Sequence, residues 1–253
     1  MKIDRIRIFR LCLLPAALLA LWWAGSAAGW WNSYILPSPV QVWDALADMA
    51  RSGELAEDLW ASVRRVLTGF SWSFCLAFVL GVISARSKHG DYYSHIVEFL
   101  RHVPPLSLIP MLILWFGIGE KSKTVLIVLA SFFPVYLSVY KGFHSADRKL
   151  VEVGRTMGFT GWQLFSRIEL PCAVPDVLSG LRIGLGYSWR AIIGAEMIAA
   201  ASGLGYLILD AQQMSRSDRV LAGVFVIGTV GWLSDWLLGR LTGRIAPGGG
   251  NNG

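Results

Sequence analysis

Six mostly apolar runs punctuate the chain, at about 11–28, 66–85, 103–118, 124–140, 177–201 and 220–239. A bilayer's hydrocarbon core takes about 20 such residues as a helix, so each run predicts a membrane span. The second is free of charge. The third opens on Pro104, Pro105 and Pro110, and its start lies between Ile96 and Val103. Pro134 sits inside the fourth, Arg182, Arg190 and Glu196 interrupt the fifth, and Asp235 lies near the end of the sixth. Prolines and glycines do not argue against membrane helices, because neighbouring helices re-satisfy the freed backbone groups. The pattern predicts one all-α polytopic domain over 1–253, without internal repeats and with a disordered glycine/asparagine tail at Gly248–Gly253.

Composition agrees. Hydrophobic residues make up 54% of the chain and charged residues 16%, against about 25% charged in a soluble domain; the mean hydropathy is +0.51. Lys2, Arg5, Arg7 and Arg10 followed by an apolar run and "AGSAAG" imitate a signal peptide. The length of that run favours an uncleaved first span. With both termini inside, fifteen of the 23 Lys and Arg residues fall on the cytoplasmic side, seven fall outside and Arg190 is left mid-span. The net charge of +6 therefore follows from topology, and it gives no reason to expect nucleic acid. Cys12, Cys75 and Cys172 form no CxxC or His/Cys cluster, which leaves buried or free thiols. The histidines (His89, His95, His102, His144) lack metal-ligand spacing and are expected in solvent. Trp22, Trp23, Trp30, Trp31 and Trp43 cluster at the outer end of the first span as interfacial anchors, and "LPSP" at 36–39 leads into a short outer helix.

The polar interval between the fourth and fifth runs carries "EVGRTMGFTGWQLFSRIELP", residues 152–171. Leu150, Val153 and Met157 share one helical stripe, with an Arg148–Glu152 pair beside it. Gly158 is placed to end that helix in a left-handed conformation. A second short element carries Trp162, Phe165 and Ile168 and is stopped by Pro171. Two short cytoplasmic helices presenting apolar and charged groups together read either as an interfacial element on lipid headgroups or as a docking surface for a partner protein.

The spacing of Glu152, Gly158 and Ile168-Glu169-Leu170-Pro171 resembles the EAA loop of ATP-binding-cassette (ABC) importer permeases, with Val153 and Gly154 in place of the two alanines. The segments "ILPSPVQVWDAL" (35–46), "SVRRVLTGF" (62–70), "PLSLIPMLILWFGIGEKSK" (105–123) and "AEMIAAASGLGYLILDAQ" (195–212) are similar to permeases of the sulfonate, taurine and nitrate uptake group. The resemblance implies a MetI-like fold of six transmembrane helices in the bacterial inner membrane, pairing with a second copy of itself. It implies a coupling loop over 145–172, with Glu152, Val153, Gly154, Gly158, Ile168, Leu170 and Pro171 in the cleft of a separate ATPase subunit. A periplasmic or lipid-anchored substrate-binding protein would deliver the substrate, a small anion such as an aliphatic sulfonate, taurine or nitrate. A pyrimidine vitamin precursor is the alternative cargo.

Charges inside spans cost roughly 2.5–3.5 kcal/mol on insertion scales and so face protein or water. Arg190 either lines the pathway and attracts an anion, or makes a structural or inter-copy contact. Glu196, six residues on and about 240° around the helix, does not pair with it within the span; it lies nearer the outer face and is a candidate contact for the binding protein. Asp235 suits Arg182 or Arg240 as an ion-pair partner. There is no GxxxxGK[ST] phosphate loop, "GIGEKSK" has the wrong spacing, and "LSGLR" (178–182) is at most a faint echo of an ABC signature, so ATP hydrolysis is expected in another polypeptide. No residues converge as a catalytic set, a metal site or a cofactor site. A secondary transporter would need mid-membrane coupling carboxylates or repeated halves, and a membrane enzyme would need polar residues clustered at one face.

Overall fold

A computed structural model describes residues 5–145 and 148–245, and among these every regular element is helical. Lys2, positions 146–147 of the loop and the tail Gly248–Gly253 lie outside the described residues, as do the side chains of Arg5, Arg7, Arg10, Cys12, Arg148 and Arg244. Helix α1 (Arg5–Ala27) leads through a short turn to α2 (Pro39–Ser52). Ser38 caps α2: its hydroxyl accepts from the Gln41 N–H at 3.2 Å while Gln41 Oε1 accepts from the Ser38 N–H at 2.8 Å, a capping box with Pro39 in the first turn. This is the short outer helix expected after "LPSP". The Trp22 indole donates to Pro37 O at 3.0 Å, tying the end of α1 to that turn.

Helices α3 (Glu54–Arg86), α4 (Gly90–Leu100), α5 (Ile109–Phe116), α6 (Glu120–His144), α7 (Arg148–Thr156), α8 (Gly161–Leu164), α9 (Leu170–Ala199), α10 (Leu204–Gln213) and α11 (Ser217–Ile245) follow in order. The centre is the packing of α6 between α3 and α9. Water drives little of this association in a bilayer, so close approach of small residues must supply it. A Cβ on Gly69 would meet Ile127 at 2.7 Å, and one on Gly81 would meet Val139 at 2.7 Å. On Gly180 it would meet Ser138 at 2.6 Å, and on Gly184 Val135 at 2.5 Å. Two apolar clusters result, one around Ile127 and Ile192 away from α7 and α8 and one around Val139 and Val177 nearer to them.

The spans differ from the expected runs in instructive ways. Helices α3, α6 and α11 are each long and apolar enough to cross a membrane unbroken. The expected third span is split: α4 is bent by 73° from the segment Pro105–Phe116. Pro104 is extended (φ −65°, ψ 120°) and Pro105 opens a 3₁₀ turn, Pro105–Leu108, ahead of α5; consecutive prolines lack the N–H groups to carry a helix through. The fifth span begins earlier than expected and breaks at Ala200–Gly203, with α10 bent by 44° from the Gly161–Ala199 segment. If each bent pair is one span the count is five, and α1 is the sixth apolar helix. Cys75 and Cys172 are free and exposed rather than buried.

Candidate functional site

Helix α7 ends as the sequence predicts. Gly158 is left-handed at φ +80°; its N–H donates to Arg155 O and the Phe159 N–H to Gly154 O, both at 3.0 Å. This pair of bonds is the Schellman arrangement, which satisfies the last carbonyls of a helix. The chain then turns into α8 through a second capping box, Thr160 with Gln163. Gly154 explains why the two helices lie so close, since a Cβ there would sit 2.7 Å from both Ile168 Cδ1 and Leu164 Cδ2.

Pro171 does not stop the second element. It sits in the first turn of α9, and helical backbone runs unbroken from α8 through a π-turn, Phe165–Glu169. The reason is local: Pro171 has no N–H for Arg167 O and its ring crowds that carbonyl. Widening the turn, so that the Leu170 N–H bonds Phe165 O, gives the ring room without ending the helix.

The two short helices bury one face and leave the other bare. Leu150, Val153, Met157 and Trp162 are exposed, Trp162 by 73%, and Glu152 is exposed beside them. On the opposite side Phe165 stacks flat on Phe143 of α6 (5.6 Å, 5°) and against Trp162 (5.6 Å, 29°). The Arg86 guanidinium of α3 lies over the same ring at 5.6 Å, and its Nε is 3.6 Å from Glu169. Lys141 pairs with Asp176 at 3.0 Å, joining the end of α6 to the start of α9. The stripe, the turn and three long helices are thus one mechanical unit.

Arg190 lies on α9 in a groove of about 820 Å³ between α9 and α11. Its guanidinium sits 5.6 Å from the Tyr187 ring, and among the described residues no carboxylate pairs with it. Arg182, two turns nearer the start of α9, is neutralised by Asp235 through bonds of 3.1 and 2.7 Å, whereas Arg240 rests on the Trp236 ring at 4.5 Å. Of the two expected partners for Asp235, Arg182 is the one found.

Glu196 is not at a surface. Its side chain is 0% exposed and has nothing to offer a docked protein, because a short bend and α10 fold back over it. It accepts from Ser62 Oγ at 2.8 and 2.9 Å, from Arg65 Nη1 at 2.8 Å and from the Gly205 N–H at 3.0 Å. Asp58 accepts from the Gly203 N–H at 2.7 Å, and Ser62 from the Leu204 N–H at 2.9 Å. Three consecutive backbone donors at the start of α10 are therefore capped by side chains of α3 and α9, satisfying groups that no residue of α10 itself reaches. Arg65 also holds Glu120 at 2.9 Å and Ser202 O at 2.7 Å. Sequence reading missed this network, in which Arg65 counts simply as an outer-side charge; the signal was an arginine eleven residues into what becomes one 33-residue helix.

Residues 74–247 match the family model described as "Binding-protein-dependent transport system inner membrane component". The chain is 40% identical over 238 residues to the putative aliphatic sulfonates transport permease protein SsuC of Escherichia coli (strain K12), covering 92% of this chain and 90% of that one. It is 38% identical over 224 residues to the SsuC of Bacillus subtilis (strain 168), covering 88% and 81%. The taurine transport system permease protein TauC of Escherichia coli (strain K12) is 34% identical, covering 92% and 86%. Among solved structures, a chain of the MetNI methionine ABC transporter in an inward-facing conformation matches with a TM-score of 0.67 at 17% identity, over 78% of this chain and 98% of that one, a likeness of fold. The chain belongs to the inner membrane components of binding-protein-dependent transport systems: it is a multi-pass transmembrane permease subunit of an ABC importer, with ATP hydrolysis in a separate subunit.

Proposed function

We propose that two copies of this chain assemble in the inner membrane with both termini cytoplasmic, with α7 and α8 seated in the ATPase subunits and the substrate passing between copies along the face that carries Arg190. The observation that carries the mechanical part is the stack of Phe165 on Phe143 beneath the bare Val153–Trp162 surface. Among the described residues a Schellman turn, a π-turn and aromatic and charged contacts link that surface to α3, α6 and α9, so a push on it is carried to the long helices. Rigid-body switching needs a stiff lever of this kind. Glu152, Gly158, Ile168, Leu170 and Pro171 hold the lever's shape or its contact surface, with Val153 and Gly154 between them.

The cargo proposed is an aliphatic sulfonate. Relatives named for aliphatic sulfonates transport support an anion, and an unpaired guanidinium at mid-span favours one physically. A pyrimidine precursor would leave that charge without a counter-ion. The test is ATP-driven uptake of radiolabelled methanesulfonate, taurine and nitrate by proteoliposomes holding this chain, its ATPase and its binding protein, together with a pull-down of the ATPase by wild type and by Glu152→Arg. Uptake of methanesulfonate, with ATPase captured by wild type and lost with the variant, is the expected result. Capture by both, or no uptake of methanesulfonate, would overturn the respective half of the reading.

A further inference from the structure

The groove between α9 and α11 has a composition that an anion path alone does not require. It is aromatic and apolar over most of its wall, with Tyr187 and Trp189 on α9 and Trp232 on α11. Its space is kept open by missing side chains: Gly186 on one wall and Gly228 and Gly231 on the other each line it, and a Cβ on any of the three would meet nothing within 4 Å. The Arg190 guanidinium in it is paired with no carboxylate among the described residues. The carboxylate of the groove, Asp235, is already neutralised by Arg182 through both of its oxygens.

We propose that this groove is a transit site selective for monoanions with an apolar body, such as longer-chain alkanesulfonates, with the head group at Arg190 and the hydrocarbon in the space before Gly186, Gly228 and Gly231. The inference rests on the reading of Arg190 as a pathway residue and names the ligand chemistry of that site. Nitrate has no apolar surface to bury against the rings. A zwitterion such as taurine would set its ammonium in the apolar space before Gly228 and Gly231. Burial of each added methylene is worth about fourfold in occupancy, so discrimination grows along a homologous series. Since a delivering protein governs capture, the permease's own preference appears in maximal rate rather than in half-saturation.

The experiment uses the assembled importer in proteoliposomes and measures maximal uptake of methane-, butane- and octanesulfonate. Gly228→Leu places a side chain in the hydrocarbon space; Gly243→Leu, also on α11 with open space before it but outside the groove, is the matched control. Gly228→Leu is expected to lower the octane-to-methane rate ratio at least tenfold, and Gly243→Leu to leave it unaltered. Arg190→Gln is expected to depress all three sulfonates, with partial recovery in Arg190→Lys. If wild type carries no sulfonate, the proposed cargo fails and the groove with it. If wild type carries all three and Gly228→Leu leaves the ratio as it was, the groove is no transit site while the cargo stands. A disulfide between two copies of Gly228→Cys, formed without loss of uptake, would likewise assign the groove to the contact between copies and overturn the proposal.

Discussion

Arg65 of α3 and Glu196 of α9 meet at 2.8 Å with side chains 7% and 0% exposed. The pair closes the end of the bundle opposite α7 and α8, because Glu196 also holds the first turn of α10 and Arg65 also holds Glu120 at the start of α6. Removing one partner of a buried pair strands the other's charge, at a cost of about 3–5 kcal/mol. Arg65 would keep Glu120, whereas Glu196 has no second cation among the described residues. Arg65→Met should therefore lower the melting temperature of the detergent-solubilised chain by about 10 °C. The double variant Arg65→Met/Glu196→Leu should recover part of that loss, since it leaves no carboxylate buried without a cation. Equal melting of wild type and Arg65→Met would mean that the pair does not hold this end together.

Gly158 and Gly154 should respond to substitution in opposite ways. Gly158 requires φ +80° and uses its N–H on Arg155 O; proline fixes φ near −65° and has no N–H. Gly158→Pro is expected to abolish uptake while membrane insertion, followed by fractionation, stays intact. At Gly154 the atoms a Cβ would meet are the flexible ends of Ile168 and Leu164, which can shift. Gly154→Ala should keep more than half of wild-type uptake, whereas Gly154→Leu should reduce it at least tenfold. Normal uptake by Gly158→Pro would remove the loop from the transport cycle.

The loop was legible because its information is local. The Gly158 cap, the apolar stripe and the polar interval between two apolar runs each depend on neighbours a few residues away. Hydropathy located the long helices for the same reason, but it misjudged where they end. Nothing in apolarity says that α3 continues through Arg64 and Arg65, because the Arg65 charge finds partners 55 to 137 positions away. Pro171 was misread for a related reason: proline was taken as a stop, and the π-turn that accommodates it depends on five residues acting together. The groove was beyond reach of the sequence, since Arg190 is equally visible whether or not a carboxylate faces it, and only the pairing of Arg182 with Asp235 leaves it unaccompanied.

Orientation can be read from one thiol. Cys172 lies in the first turn of α9, next to Pro171, and is exposed, while Cys75 is exposed on α3 within an uncharged apolar stretch, where the bilayer would cover it. A membrane-impermeant maleimide should label Cys172 in inside-out vesicles and not in right-side-out ones, with Cys75 unlabelled in both. Cys172→Ser should abolish the signal. Labelling from the outer side alone would invert the assigned topology.

Phe165 is where the loop touches the long helices, and it separates transmission from simple stability. Its ring lies between Trp162 and Phe143, with Arg86 above it, so motion of α8 reaches α6 and α3 through one side chain. Phe165→Ala should leave the ATPase bound, because the exposed Leu150, Val153 and Met157 of α7 remain even though Trp162 loses its stacking partner, yet uncouple the two activities. The expected result is ATP hydrolysis by the assembled complex within about twofold of wild type and sulfonate uptake at least tenfold lower, with Phe165→Leu intermediate. Arg86→Met, which removes both the guanidinium above the ring and the link to Glu169, should shift the ratio in the same direction by a smaller amount. Were hydrolysis and uptake to fall in proportion, with less ATPase captured, Phe165 would be holding the fold rather than passing the stroke.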